Sequence, residues 1–167
     1  GHLKIFKETY PGSRLPYILP GYLLVKVFGV FAGAYLLKLS FFMMSGIASF
    51  LYARLISGFN AALLITAFTV CIPYFLFFNS WDYPFFPSVA FCMSAFCMLE
   101  YGVQKGKYNI YFWFLSGVFS ALMIHTNLIL IVFFLPGFAV YVLCRMGKDA
   151  FYEWKGALSG VAGAFAI

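Results

Sequence analysis

Apolar runs separated by short polar breaks fill most of this chain, and they limit what it can fold into more than any other feature. Hydrophobic residues make up 64% of the 167 residues, charged residues make up 10%, and the mean hydropathy is +0.94. The hydrocarbon core of a bilayer is ~30 Å thick and needs about 20 helical residues to cross. Four runs are therefore predicted to be membrane spans: Asn60–Phe78, Pro84–Val103, Tyr108–His125 and Leu128–Cys144.

The region Tyr17–Tyr52 is predicted to hold one span and not two. As a helix it would reach about 54 Å, whereas two crossings need roughly 60 Å and a turn. We predict a full span at about Tyr35–Tyr52, preceded by a short helix near Leu19–Phe28 that lies in the membrane interface or is re-entrant. A tilted pair of crossings in a thin membrane is the alternative. The expected fold is all-α, a polytopic transmembrane helix bundle with a short interfacial juxtamembrane helix.

The expected organisation is an outward loop with this helix in residues 1–33 and the bundle in residues 34–167. The bundle would contain about five full spans and a last one, beginning near Ala157, that is cut off at Ile167. Because the chain begins without Met and ends inside an apolar run, we expect it to be part of a longer protein.

A formal net charge of +6 is compatible with nucleic-acid binding, but the positions of the basic residues favour another explanation. Lys and Arg concentrate on the cytoplasmic side of membrane proteins. Here they fall on alternate loops, while Asn79–Tyr83 and His125–Asn127 contain none. We therefore expect membrane lipids and not nucleic acid as partners, and we place these two loops outside. The basic residues predicted to be cytoplasmic are Arg54, Lys105, Lys107, Arg145, Lys148 and Lys155.

The sequence contains no pattern typical of a metal site, a phosphate-binding glycine loop or a Ser/His/Asp set. Four cysteines occur without a CxxC pair, so we interpret them as small buried hydrophobic residues and not as disulfides or metal ligands. They are Cys71, Cys92, Cys97 and Cys144. Glu100, near the inner end of its predicted span, is expected to reach the cytoplasmic interface beside Gln104.

The outward loop before the predicted span Pro84–Val103 carries Asp82 between Trp81 and Tyr83. One interpretation is structural, because aromatic rings favour the interface and Asp82, two residues before Pro84, suits a helix start. The other is functional: Asp82 binds or activates a polar acceptor while the rings stack on a sugar.

Other candidate residues lie near the predicted helix ends. Arg14 could bind a lipid phosphate in bidentate fashion, whereas Lys26 and Lys38 are interpreted as basic side chains that snorkel to headgroups. His125 and Asn127 belong to a polar turn, and the outward side that they share with Asp82 makes them binding candidates.

Taken together, these short motifs resemble the bacterial polytopic glycosyltransferases of the GT-C class. Relatives of that class include the protein O-mannosyltransferases and the lipid A aminoarabinose transferases. The resemblance extends over roughly Tyr10–Tyr141. It rests on Tyr10, Ser13-Arg14-Leu15-Pro16, a short apolar helix ending in Gly29, Trp81-Asp82-Tyr83 and Thr126-Asn127.

The resemblance implies transfer of a sugar from a polyprenyl-phosphate donor to an acceptor at the outer membrane face, with inversion at the anomeric carbon. In that class an acidic side chain activates the acceptor hydroxyl, and basic residues stabilise the departing phosphate. By position, Arg14 would lie on the phosphate side, Tyr10 would contact the donor, and Asp82 would be an acceptor-side or supporting carboxylate. The implied location is a bacterial inner membrane with the active face periplasmic or extracellular.

The chain departs from the class at one position. The principal catalytic acid of the class lies early in the first outward loop, and we expect it to lie before Gly1. Glu8 is the carboxylate that precedes Arg14 here, and it is the candidate for that role. A transporter or lipid carrier, and a membrane scaffold without activity, remain alternatives. Metal dependence, oligomeric state, sugar and acceptor stay open.

Overall fold

A computed structural model describes residues 15–73, 76, 85–104, 110–127, 130–146 and 159–163, and the regular structure within these ranges is helical. The predicted all-α class is therefore confirmed for these residues. The helices are α1 (Leu15–Phe28), α2 (Val30–Ser57), α3 (Phe59–Cys71), α4 (Phe85–Gln104), α5 (Ile110–Thr126) and α6 (Ile131–Met146). Residues 159–163 form a further helical turn.

Two of these helices, α2 with 28 residues and α4 with 20, are long and apolar enough to cross a membrane. This assignment follows from helix length and composition, and two such helices give weak support for membrane association. The remaining apolar helices have 13 to 17 residues: α1, α3, α5 and α6. The division placed between residues 33 and 34 falls inside α2.

The predicted uninterrupted span Asn60–Phe78 is wrong at its second half. Helix α3 ends at Cys71, and Ile72 adopts extended backbone with φ −60° and ψ 124°. A residue before proline is disfavoured in the helical region, and Ile72 precedes Pro73. The Leu76 N–H donates to the Ile72 carbonyl at 3.2 Å, so helical bonding resumes after the break.

Helix α1 folds back along α2 as an antiparallel hairpin. The chain reverses at Gly29, whose φ of +83° lies in the region that favours glycine. The two backbones then come close at Gly33, where a Cβ atom would lie 2.6 Å from the Val25 nitrogen. Further along, the rings of Tyr17 and Phe41 have centroids 6.2 Å apart. The start of α1 therefore lies beside the middle of α2.

The other helix directions follow from their side-chain contacts. A second reversal at Gly58, with φ +83°, sends α3 back along α2, where Phe50 meets Phe59 at 5.8 Å. Phe41 of α2 meets Phe91 of α4 at 5.5 Å, and the two helices run in the same direction. Helix α5 runs opposite to α4, because Ser116 contacts Ala95 while the earlier Trp113 contacts the later Gly102. Helix α6 runs in the direction of α4, because Phe134 meets Phe96 and Arg145 meets Glu100. Each helix from α3 to α6 therefore runs in the direction opposite to that of the helix before it.

Helices α4 and α5 form the most extensive interface within the described residues. The Ser116 hydroxyl of α5 donates to the Ala95 carbonyl of α4 at 2.9 Å. Near the other end, Gly102 lies against the Trp113 ring, where a Cβ would be 3.0 Å from the indole. Small residues at such positions let helix backbones approach closely. The core at this junction contains Leu37, Phe41, Phe86, Ala90, Phe91, Ala95, Met123 and Phe134.

The prediction that all four cysteines are buried is confirmed for one, is partly met by a second and is wrong for the other two. Cys97 is buried and Cys92 is partly buried, both on α4. Cys71 and Cys144 are exposed, because they lie at the ends of α3 and α6 on faces that no described helix covers. All four are free thiols.

Replacing Gly33 with alanine should destabilise the α1–α2 hairpin. The added methyl group would meet the backbone of α1 at 2.6 Å, and backbone cannot rotate away as a side chain can. Overpacking of this kind costs about 1–3 kcal/mol. The measurement is the thermal unfolding midpoint of the purified protein in a mild detergent.

Gly137→Ala is the matched control, because a Cβ at this α6 position meets no atom within 4 Å. It should leave the midpoint unchanged or raise it slightly, since alanine favours helix. An equal loss for both variants would contradict the close approach at Gly33.

Candidate functional site

Most of the site residues predicted from the sequence lie outside the described residues and stay predictions. They are the catalytic candidates Glu8 and Asp82 and the binding candidates Tyr10, Arg14, Trp81 and Tyr83. The described parts of the candidate site are therefore His125 and Asn127.

His125 and Asn127 lie in the turn that ends α5, and their side chains differ in exposure. His125 is exposed, whereas Thr126 and Asn127 are buried. The Thr126 hydroxyl donates to the Leu122 carbonyl at 2.6 Å, and the Asn127 N–H donates to the Met123 carbonyl at 2.9 Å. This pattern is that of a helix end whose own groups satisfy one another. His125 is the side chain of this turn that is accessible to a partner.

Within the described residues, the helices end in basic side chains at both ends of the bundle, and two of these side chains are arginines at the same end. The last turns of α2 and α6 carry Arg54 and Arg145, and these helices run in the same direction. Helix α5 runs the opposite way and carries His125 in its last turn. Arg54 and Arg145 therefore share one end, and His125 lies at the other, where α1 also ends with Lys26 in its last turn. Helix α4 begins with Phe85 at the His125 end, as Phe86 and Met123 belong to the same core cluster.

The most developed polar cluster among the described residues surrounds Glu100 on α4. Its side chain is 0% exposed, and its carboxylate accepts hydrogen bonds from three other side chains. Arg145 donates from Nη2 to Oε1 at 2.6 Å and from Nε to both oxygens at 3.1 Å. The Tyr141 hydroxyl donates to Oε2 at 2.5 Å, and Gln104 Nε2 donates to Oε1 at 2.8 Å.

The Glu100 cluster joins the C-terminal parts of three helices. Gln104 also donates to the Leu55 carbonyl of α2 at 2.8 Å. The Tyr52 ring of α2 lies 6.3 Å from the Tyr141 ring of α6. Glu100 and Gln104 belong to α4, so the carboxylate connects α2, α4 and α6 at the arginine-bearing end.

The geometry of Glu100 suits a structural ion pair. Both carboxylate oxygens already accept hydrogen bonds, and an uncompensated charge at this burial would be costly. A general base needs an oxygen turned toward its substrate, and here the nearest groups are its own fixed donors. The cluster therefore fixes the positions of helices.

The expectation that Glu100 reaches the interface is wrong, although its predicted neighbour Gln104 is present. The side chain turns into the bundle because Arg145, on the helix that starts at Ile131, supplies the compensating charge. A usable signal existed in the sequence. Charged residues inside apolar spans usually face the bundle and pair with one another, and Glu100 stands inside such a run.

Within the described ranges there is no group of three or more His, Cys, Asp or Glu residues placed to hold a metal ion. Comparison of the chain with protein-family models, with curated proteins and with solved structures finds no match in any of the three.

Removing one partner of the ion pair should cost more stability than removing both. Arg145→Met leaves the buried Glu100 carboxylate without its guanidinium, at a cost of about 3 kcal/mol. Glu100→Gln should cost less, because Arg145 is 43% exposed and can turn to solvent or headgroups. The double variant should be more stable than Arg145→Met alone.

The measurement is a double-variant cycle of unfolding midpoints in detergent. Additive losses would show that the two side chains act independently, against the geometry described above.

Proposed function

We propose that this protein is a polytopic integral membrane protein that transfers a sugar from a polyprenyl-phosphate donor to an acceptor at the outward face. The membrane part of the proposal is carried by one observation, the exposure of large apolar side chains on several helices. Phe31 is 93% exposed, Phe68 74% and Phe133 73%, on α2, α3 and α6. Large apolar side chains exposed on this many helices are unfavourable in water and suit lipid.

Hydroxyl groups inside the helices give a second, independent support. Six serine and threonine hydroxyls donate to the carbonyl four residues earlier, at 2.6–2.9 Å. A hydroxyl in hydrocarbon has no water to bond, so it satisfies itself on its own helix. These residues are Ser40, Ser45, Thr69, Ser94, Ser120 and Thr126.

The proposed arrangement in the membrane follows from the helix directions. Alternating directions are what successive crossings require, and Arg54 and Arg145 at one end fit a cytoplasmic side. Helix α1, which lies along α2, then fits a re-entrant hairpin better than a helix lying flat in the interface. His125 and the start of α4 belong to the outward end. A bacterial inner membrane is proposed on the resemblance alone.

The proposed reaction rests on the resemblance to GT-C glycosyltransferases. A carboxylate, Asp82 or Glu8, takes the proton of the acceptor hydroxyl as its oxygen attacks the anomeric carbon. The bond from that carbon to the donor phosphate breaks, and the phosphate leaves with the electron pair toward Arg14. Tyr10, Trp81 and Tyr83 would hold the donor and the sugar ring. On this proposal His125 and Asn127 border the same face, with His125 the accessible one.

A polytopic transporter or lipid carrier is the second candidate. Two observations favour it: the helix break at Ile72, and the charged pair of Glu100 and Arg145 close to the end of α4. Broken helices and ionisable groups inside spans are typical of transport sites. We place it second because both oxygens of Glu100 are engaged with fixed partners.

Insertion and orientation are tested by cysteine labelling in intact cells. With the exposed Cys71 and Cys144 replaced by alanine, His125→Cys should react with an impermeant maleimide from outside. Arg54→Cys should react only after permeabilisation, because it lies at the opposite end of the bundle. Labelling of both without permeabilisation, or release of the protein by alkaline carbonate, would contradict the proposed arrangement.

The transfer proposal is tested by turnover of a polyprenyl-phosphate sugar in proteoliposomes that contain the intact protein. Asp82→Ala should lower turnover at least 100-fold, because a lost catalytic acid–base group costs about 10²–10⁴-fold. Arg14→Ala should also lower it about 100-fold, because the departing phosphate loses its positive partner. Lys26→Ala, an exposed position on α1, is the control and should retain turnover. Unchanged turnover in both site variants would contradict the roles proposed for Arg14 and Asp82, and absence of turnover by the native protein would favour the scaffold. Lipid or solute flux without turnover would favour the carrier.

A further inference from the structure

The outer surface of α2 carries two apolar grooves that lie side by side. One lies between α2 and α4 and has a volume of about 360 Å³, and the other lies between α2 and α3 and has a volume of about 460 Å³. Both grooves are lined by the same three residues of α2, Met43, Ile47 and Leu51. These residues recur at four-residue spacing, so they form a single ridge along one face of the helix.

Small side chains explain why the grooves exist on either side of this ridge. Ala48, Ser94 and Cys97 line the α2–α4 groove and are buried, so they form its floor. Gly46 and Ala67 line the α2–α3 groove. Met43 and Ile47 lie on the ridge between the two grooves, and their exposed fractions are 51% and 59%.

The linings favour hydrocarbon as the occupant. The hydroxyls of Ser40 and Ser94 both donate to carbonyls of their own helices. The Thr66 hydroxyl lines the second groove, but its oxygen is covered by protein and is not presented to an occupant. An unfilled groove loses van der Waals contacts, and at this depth of a membrane hydrocarbon is the available material to fill it.

The length of the grooves and the charged residue at their end indicate which kind of lipid occupies them. Along α2 the first groove extends over Ser40–Leu51 and the second over Phe42–Leu51, about 14–16 Å. This length is close to the ~15 Å of one leaflet, which is half of the ~30 Å core. Arg54 lies three residues beyond Leu51 on the same face and is exposed. It therefore stands at the end of the ridge, where a headgroup would be once two chains occupied the grooves.

We propose that α2 binds one diacyl phospholipid, whose two acyl chains lie on either side of the Met43–Ile47–Leu51 ridge and whose phosphate is bound by Arg54. A single-chain lipid would fill only one of the two grooves. The site rests on the membrane insertion proposed above and does not depend on sugar transfer.

The test measures lipid binding to the full chain in mild detergent by native mass spectrometry, after confirming that the protein resists carbonate extraction. Delipidated protein is titrated with dioleoyl phosphatidylglycerol, with its single-chain lyso form and with a polyprenyl phosphate. We expect one diacyl lipid per chain, with affinity at least tenfold higher than for either of the others. Preferential binding of the polyprenyl phosphate, equal binding of the lyso lipid, or a dimer that excludes lipid would overturn the proposal.

Groove-filling variants locate the site. Ser40→Phe and Ala67→Phe place a ring in one groove each from an exposed position, and each should weaken diacyl binding at least tenfold. Ala32→Phe, exposed on α2 away from the grooves, should stay within twofold of the native protein. Arg54→Gln should weaken binding about fivefold, as one basic residue near a lipid surface contributes ~1 kcal/mol.

Native affinity in both groove-filling variants would overturn the assignment. Protein that carbonate extracts would instead contradict the proposed membrane insertion, so the two failures are distinguishable.

Discussion

The burial of the Glu100 carboxylate is the constraint on which the arrangement of the helix ends depends. A charge removed from solvent must find opposite charge and hydrogen-bond donors nearby. Here the donors come from two helices, α4 and α6, and Gln104 adds a link to α2. Because all three donors must reach one carboxylate, the C-terminal parts of these helices converge. Their common direction, and the opposite direction of α5 between them, follow from that convergence.

Helix α6 shows why this carboxylate matters. Its face toward α4 consists of large rings, and Phe96 contacts Phe134, Phe138 and Tyr141 at 5.2–5.7 Å between centroids. Large side chains hold helix axes apart, whereas the small residues between α4 and α5 let them approach. In a membrane the aromatic contacts gain little from the hydrophobic effect, since lipid is equally apolar. The ion pair therefore fixes the axial position of α6 against α4, which ring contacts alone leave free to slide.

The sequence predicted helices well where an apolar run ended at polar residues on both sides. Helices α4 and α5 begin and end within three residues of their predicted bounds for this reason. The break at Ile72 was missed because the apolar pattern continues through Pro73, although the proline itself was the signal. The hairpin of α1 and α2 depends on positive φ at Gly29 and on close contact at Gly33, and neither follows from helix length or hydropathy.

The candidate site shows a different limit of sequence reasoning. An exposed polar residue such as His125 can be recognised from the sequence, because it stands in a polar break between two apolar runs and its exposure depends on that local pattern. Glu100 could not be assigned in that way. Its environment depends on Arg145, 45 residues away, and on the rotation of two helices about their axes. Length and hydropathy determine where a helix starts and ends, but they do not determine which of its faces meets a neighbour.

The positions of the described polar links also bear on where chemistry can occur. Membrane helices gain stability from close packing and internal hydrogen bonds. A residue that reacts with a substrate must leave its polar atoms accessible, so it cannot also serve as a buried link between helices. Glu100 and Arg145 supply the link at one end, and His125 is exposed at the other. Such a division keeps the buried ion pair at one end of the bundle and leaves His125, at the other end, accessible.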